Sequence, residues 1–207
     1  MHHKHLCPRQ VLGVRIGLRG LLALGLTDET HPPFDNKNKR LLTIVEMDGC
    51  GADGISVAAD CQVGRRTMRV LDYGKMAATL IDTRTGQAVR VWPHPDIRQT
   101  ARRYATNARS RWHAYLEAYQ IIPDEELLHT QPVELNQPLA EILSRPNLRT
   151  NCDQCGEEIM NEREVVVNAC TERRPLVTGR SACTERSRSG RILCQPCAGN
   201  SYYNSIL

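Results

Sequence analysis

An α+β fold is predicted by three features of this 207-residue chain. Short apolar runs are spaced as antiparallel strands, helical patterns lie outside those runs, and a cysteine-paired tail follows them. Strands grouped together with flanking helices favour a segregated sheet over a βαβ series. Hydrophobic residues make up 41%, enough for a core and too many for wholesale disorder. Aromatics are only 4%, with a single Phe34, so Leu, Val, Ile and Ala must build that core.

The elements follow in order. Cys7-Pro8 opens a helical pattern with apolar positions at Val11, Leu12, Ile16, Leu18, Leu22 and Leu26. Pro8 suits the first turn, where its missing N–H costs nothing. Residues 27–39 are polar, contain Pro32-Pro33 and read as a loop. Residues 41–47 and 67–73 read as strands, with a short helix at 50–59 between them. Residues 77–81 and 88–92 flank Asp82-Thr83-Arg84-Thr85-Gly86-Gln87, a hairpin signal. Asp96 is placed to cap a helix over 97–104, and Ser110 one over 111–119. Pro123, Pro132, Pro138 and Pro146 then punctuate short pieces.

Several classes are excluded. The longest apolar stretch, 11–26, is broken by Arg15 and Arg19, and nothing approaches the ~20 residues of a membrane helix. That stretch also lacks the cleavage site of a secretory signal. A cytoplasmic protein is expected, and there cysteines serve as metal ligands or reactive thiols more than as disulfides. The net charge of +4 is too small to imply nucleic acid.

Much of that charge has a local source. Ala169-Cys170-Thr171-Glu172-Arg173 recurs as Ala182-Cys183-Thr184-Glu185-Arg186. The surrounding segment, about 169–189, reads as a low-complexity insert of the translated-repeat kind. Its five Arg and two Glu supply +3 of the +4. A second basic stretch, Arg84 to Arg111, holds seven Arg and one Asp and reads as a solvated helix face.

Two cysteine groups carry chemistry. Cys152-Asp153-Gln154-Cys155 and Cys194-Gln195-Pro196-Cys197 are C-x-x-C knuckles. Such knuckles aim four thiolates at one tetrahedral ion, with bonds of ~2.3 Å. Thirty-eight residues separate Cys155 from Cys194; removing the 21-residue insert leaves 17, the spacing of a four-cysteine zinc site. Residues 164–168 and 191–193 are then the arms of a hairpin with the insert at its tip. Zn2+ is the expected ion, and a full shell of four thiolates makes the site structural. Cys170 and Cys183 are spare thiols.

The second group is N-terminal. His3, His5 and Cys7 place two imidazoles and a thiol within five residues, donors that Zn2+ or Ni2+ accepts. Cys7 stands at a helix N-terminus, where the dipole favours a thiolate. Cys50 and Cys61 lie near strand ends, with Asp53 and Asp60 close by. If these segments converge, the site mixes nitrogen, sulfur and oxygen donors. His31, His94, His113 and His129 lack such neighbours and read as surface or satisfied histidines.

Together these residues resemble the FmdE-like proteins, a family associated with formylmethanofuran dehydrogenase. The family's H-G-H-x-C-P-G corresponds to His3, His5, Cys7 and Pro8. Its middle motif corresponds to Cys50, Asp53, Gly54 and Ile55, and its second cysteine to Cys61. Tyr73-Gly74-Lys75 matches its Y-G-K. Lys4, Arg9 and Asp60-Cys61-Gln62 depart from the pattern, and the chain starts two residues before His3, where members carry a helix.

The resemblance implies a core at 1–146 and a treble-clef zinc finger at 147–207 that carries the insert. It implies His3, His5, Cys7, Cys50 and Cys61 as ligands of a second transition metal, Zn2+ or Ni2+. It gives Lys75 a role in holding a small anionic ligand, and it implies a homodimer. The function expected is a metal-binding protein accessory to a C1 or molybdenum enzyme. Asp53 would be the general acid–base group if it is itself an enzyme. The competing function is a zinc-finger interaction module that contacts nucleic acid or a protein partner.

Overall fold

The computed structural model describes residues 5–28, 34–143, 147–167 and 190–204. His3, His31 and the segment 169–189 lie outside the described residues. The chain divides into two compact units, residues 1–142 and 143–207.

The first unit is α+β. Helix α1 (Pro8–Ala23) starts on Pro8 and buries Leu12, Ile16 and Leu21. It ends at Gly25, which takes a left-handed φ of 63°. The Gly25 and Leu26 amides donate back to the carbonyls of Leu22 and Leu21, both at 3.0 Å, a Schellman closure. Leu26 is therefore folded back onto the core, not carried on the helix.

Five strands form one sheet in the order β2-β1-β3-β4-β5. They are β1 (Leu41–Val45), β2 (Met68–Val70), β3 (Ala78–Asp82), β4 (Ala88–Pro93) and β5 (Leu128–Val133). Three of the four pairings are antiparallel, as expected. The fourth is not: β1 and β2 run parallel, with Thr43 opposite Met68. Parallel neighbours need a crossover, and helix α2 (Cys50–Ala58) lies in the connection between them.

The hairpin β3–β4 forms as expected, with Gly86 at a φ of 78°. Helices α3 (Ile97–Tyr104), α4 (Arg111–Ile121) and α5 (Asp124–Leu127) follow it, and α6 (Leu139–Ile142) ends the unit. Ser110 caps α4 by accepting from the His113 amide at 3.4 Å. On α3, Arg98, Arg102 and Arg103 are exposed, which is the solvated basic face expected.

Alternation sets the core face of the sheet. Thr43, Val45, Ala78, Leu80, Val89 and Val91 are buried and paired across strands. Arg15 of α1 reaches Asp124 and donates to the carbonyls of Tyr119 and Ile122 at 3.0 and 2.8 Å. It thereby closes the C-terminal end of α4, where carbonyls lack helical partners.

Helices α1 and α2 touch backbone to backbone. A Cβ on Gly13 would collide with the Gly51 carbonyl, and one on Gly54 with the Gln10 carbonyl. The contacts pair the N-terminal half of α1 with the N-terminal half of α2, so both helices start from the same end. This crossing positions the site.

Among the described residues the second unit holds two small antiparallel strand pairs. Strands β6 (Arg149–Asn151) and β7 (Glu158–Met160) pair antiparallel, as do β8 (Val165–Val167) and β9 (Arg191–Leu193). Its buried apolar cluster among the described residues is Cys152, Ile159 and Leu193.

Candidate metal centres

In the second unit the four knuckle cysteines converge. The sulfurs of Cys152, Cys155, Cys194 and Cys197 all lie within 4.8 Å of one another. Cys155 and Cys194 are 3.8 Å apart. Tetrahedral bonds of ~2.3 Å place sulfurs about 3.8 Å apart, so the cluster is sized for one ion.

The two knuckles repeat one geometry. The Gly156 amide donates to the Cys152 carbonyl and the Ala198 amide to the Cys194 carbonyl, both at 2.9 Å. Gly156 and Gly199 supply the left-handed φ of 77° and 93° that the turns need. The knuckles are tied together by Asp153, whose amide donates to the Ile192 carbonyl at 2.8 Å. Its carboxylate accepts from the Ile192 amide at 2.7 Å.

The electrostatics favour a cation. Backbone amides of Cys155 and Cys194 stabilise the Cys152 thiolate and lower its pKa to about 6. The neighbouring Cys194 thiol and burial push Cys197 up to about 12. Four crowded sulfurs resist losing further protons until positive charge arrives.

In the first unit the α1–α2 crossing brings Cys7 against Cys50. Cys7 caps α1, with its amide donating to Gln10 Oε1 at 2.8 Å. Cys50 opens α2. Burial first and contact with Cys7 second raise the Cys50 thiol. The positive ends of two helix dipoles thus meet at two thiols, but burial and the neighbouring thiol outweigh that field at Cys50.

Cys7 also lines a cavity of about 600 Å³. Met47 and Asp48 line it from the end of β1, and Asp72, Gly74 and Met76 from the segment before β3. Arg98 of α3 and the rings of Trp112, Tyr115 and Tyr119 of α4 complete the wall. These aromatic residues are absent from the sites expected on sequence grounds. Their spacing on α4 is a visible signal, but a helix that packs on a core shows the same spacing.

The other expected site residues are dispersed. His5 is exposed, two residues before Cys7. Asp53 sits half-buried on the first turn of α2, and its charge helps raise Cys50. Lys75 is exposed, between the cavity residues Gly74 and Met76. Its amide donates to the Glu46 carbonyl at 3.0 Å, and the Glu46 carboxylate is held by Arg90 at 2.6 and 2.7 Å.

The structure does not bring Cys61 to Cys7 and Cys50. It follows the opposite end of α2 and is fully buried. Its sulfur accepts from Asn36 Nδ2 at 3.4 Å and Thr43 Oγ1 at 3.3 Å, and its thiol donates to the Leu41 carbonyl at 3.6 Å. Asn36 also clamps both backbone groups of Leu41 at 2.9 Å. The Cys61 thiol belongs to a buried polar clamp beneath the start of β1.

A family model described as FmdE, molybdenum formylmethanofuran dehydrogenase operon, matches residues 2–129. The chain belongs to this family. A probable S-adenosyl-L-methionine-binding protein of Archaeoglobus fulgidus is 26% identical to this FmdE chain over 184 residues. The match covers 78% of the chain and 47% of that protein, so the chain spans about half the length of this curated relative. Among solved structures, a tungsten formylmethanofuran dehydrogenase FmdE-like protein from Syntrophus aciditrophicus matches with a TM-score of 0.51 and 19% identity. That match covers 95% of this chain and 86% of the other, and at such identity it supports the fold. Among the described residues, no helix is long and apolar enough to cross a membrane.

Proposed function

We propose that this FmdE chain is a two-site metal protein, accessory to an enzyme of C1 or molybdenum chemistry and acting as a homodimer. The observation that carries the core site is the meeting of Cys7 and Cys50 at two helix N-termini beside an open cavity. Cys7, Cys50, His5 and His3 fit a borderline-soft transition ion, Zn2+ or Ni2+. When bound, such an ion supplies Lewis acidity toward a ligand in the cavity. The helix ends hold the thiolates. Trp112, Tyr115 and Tyr119 shape the ligand space. Asp53 holds or moves a proton near Cys50, and Lys75 offers a cation to an anionic group.

The four-cysteine cluster is read as a structural Zn2+ site of treble-clef type. The three buried apolar residues among those described are too small a core to hold the second unit alone. Metal binding then supplies the folding free energy.

Metal content per chain tests the reading. Untagged protein should carry about two ions. Cys7→Ala should lose about one of them, and Cys61→Ala none. Unchanged content in Cys7→Ala overturns the core site.

A second reading concerns the cavity ligand. Asp48 and Asp72 line a space that also offers aromatic rings and the cations of Arg9 and Arg98, which suits an organic cation that also carries an anionic group. The name of the Archaeoglobus relative makes S-adenosyl-L-methionine, a sulfonium, the first ligand to titrate. The interaction-module reading has less support. Tyr202 and Tyr203 pack edge to face, 5.1 Å between centroids, and do not form a flat stacking platform for bases.

A further inference from the structure

We infer that the core metal site is a mixed thiolate–thioether site, with Met47 and Met76 as sulfur donors beside Cys7, and that it takes a soft monovalent ion of the Cu(I) class. The inference rests on the core-site reading above and changes both its ligand set and its metal.

The carrying observation is at Gly51, the residue after Cys50. A Cβ built on Gly51 would lie 2.6 Å from the Met76 sulfur and 2.7 Å from the Met47 sulfur. Both distances start from one point, so the two sulfurs are at most their sum, 5.3 Å, apart. They converge over the first turn of α2, one residue from Cys50. Met47, Met76 and Cys7 all border the same cavity. Only glycine leaves room for both thioethers there.

The two methionines arrive from different segments. Met47 lies two residues past β1, and Met76 two residues before β3. Met47 is buried at 8% exposure, so its thioether is shielded from water. An unbranched side chain with three rotatable bonds can swing its sulfur onto an ion without moving the backbone. Thioethers are weak ligands for hard or borderline ions and good ones for Cu(I). Two of them lining the same cavity as Cys7, one residue from Cys50, make a soft donor set with little net charge.

The test uses full-length protein with its four-cysteine cluster zinc-loaded. Under anaerobic conditions Cu(I) is titrated against a chromophoric Cu(I) chelator, and released zinc is followed in parallel. Met47→Leu/Met76→Leu conserves volume and should fold, since volume-conserving apolar swaps are the best tolerated in cores. The expected result is Cu(I) affinity lowered about tenfold or more, with Zn2+ content unchanged. Wild-type affinity in this variant, with binding lost in Cys7→Ser, overturns the thioether assignment and leaves the core-site reading standing. Wild-type affinity in both variants overturns both.

A mutation-free measurement runs alongside. With methionine methyl-labelled protein and Ag(I) as the spectroscopic stand-in for Cu(I), the Met47 and Met76 methyl resonances should shift. Met68 and Met160 should not. Bound Ag(I) with all four resonances unmoved contradicts the inference.

Discussion

In the second unit four thiols face one another within 4.8 Å, and among the described residues Ile159 and Leu193 are buried beside them. In the first, Cys7 lines an open cavity and touches Cys50 behind it, backed by 22 buried residues among those described. The first arrangement leaves no vacant direction around an ion, whereas the second leaves a wall of aromatic rings and carboxylates opposite the sulfurs. On the proposed reading, an ion holds the second unit together where the described apolar core is small, whereas in the first unit the larger core holds the thiols and leaves one side free for a ligand.

Stripping zinc should have the largest effect. Structural zinc contributes roughly 10–16 kcal/mol in small zinc domains. Chelation should therefore erase amide exchange protection over 149–160 and 191–198, while β1, β3 and β4 keep theirs. Protection that persists in the second unit after metal loss would erase the distinction between the units.

The α1–α2 crossing comes next. Gly54→Ala drives a methyl into the Gln10 carbonyl, and relief requires the helices to part. A loss of about 1–3 kcal/mol is expected in chemical denaturation. The core ion should weaken as well, because parting the helices separates Cys7 from Cys50. The second unit's zinc should be unaffected.

Cys61→Ala sharpens the contrast among cysteines. It breaks the buried clamp with Asn36 and Thr43 and should cost about 1–3 kcal/mol, with no loss of metal. Cys7→Ala should behave the opposite way. Metal loss in Cys61→Ala would return that residue to the ligand set.

These contrasts mark how far the sequence could be read. The knuckles were legible because a four-cysteine ion dictates local spacing, and the 38-residue gap became ordinary once the repeat was set aside. Pro8, Ser110 and the Gly86 hairpin were legible because capping and turn chemistry are local. β5 was not, since Pro132 argues against a strand; it survives because β5 is the sheet edge, where the missing amide is harmless. The parallel β1–β2 pair was hidden because strand direction depends on where α2 packs. Cys61 is a different case: the helix read over 50–59 already sets it past the end opposite Cys50, and what the sequence hides is its burial against Asn36 and Thr43. Nothing in the sequence singles out Met47 and Met76, whose sulfurs both approach Gly51 in the folded chain.

The smallest expected effect concerns the insert. Deleting 169–189 joins Asn168 to Gly190 between β8 and β9, with Val167 already opposite Arg191. Asn-Gly is the preferred two-residue hairpin turn. The deletion should leave zinc content unchanged and stabilise the second unit by about 1–2 kcal/mol through the shorter loop. Lower metal content on deletion would mean that the segment is part of the site.

Counting ions under a graded chelator challenge tests the division of labour most directly, with native mass spectrometry read alongside thermal unfolding. Two ions per chain are predicted. The core ion should leave first, lowering the melting of the first unit modestly without unfolding it, and the second departure should melt the C-terminal unit alone. A single ion per chain, or a first departure that unfolds the C-terminal unit, would contradict the account.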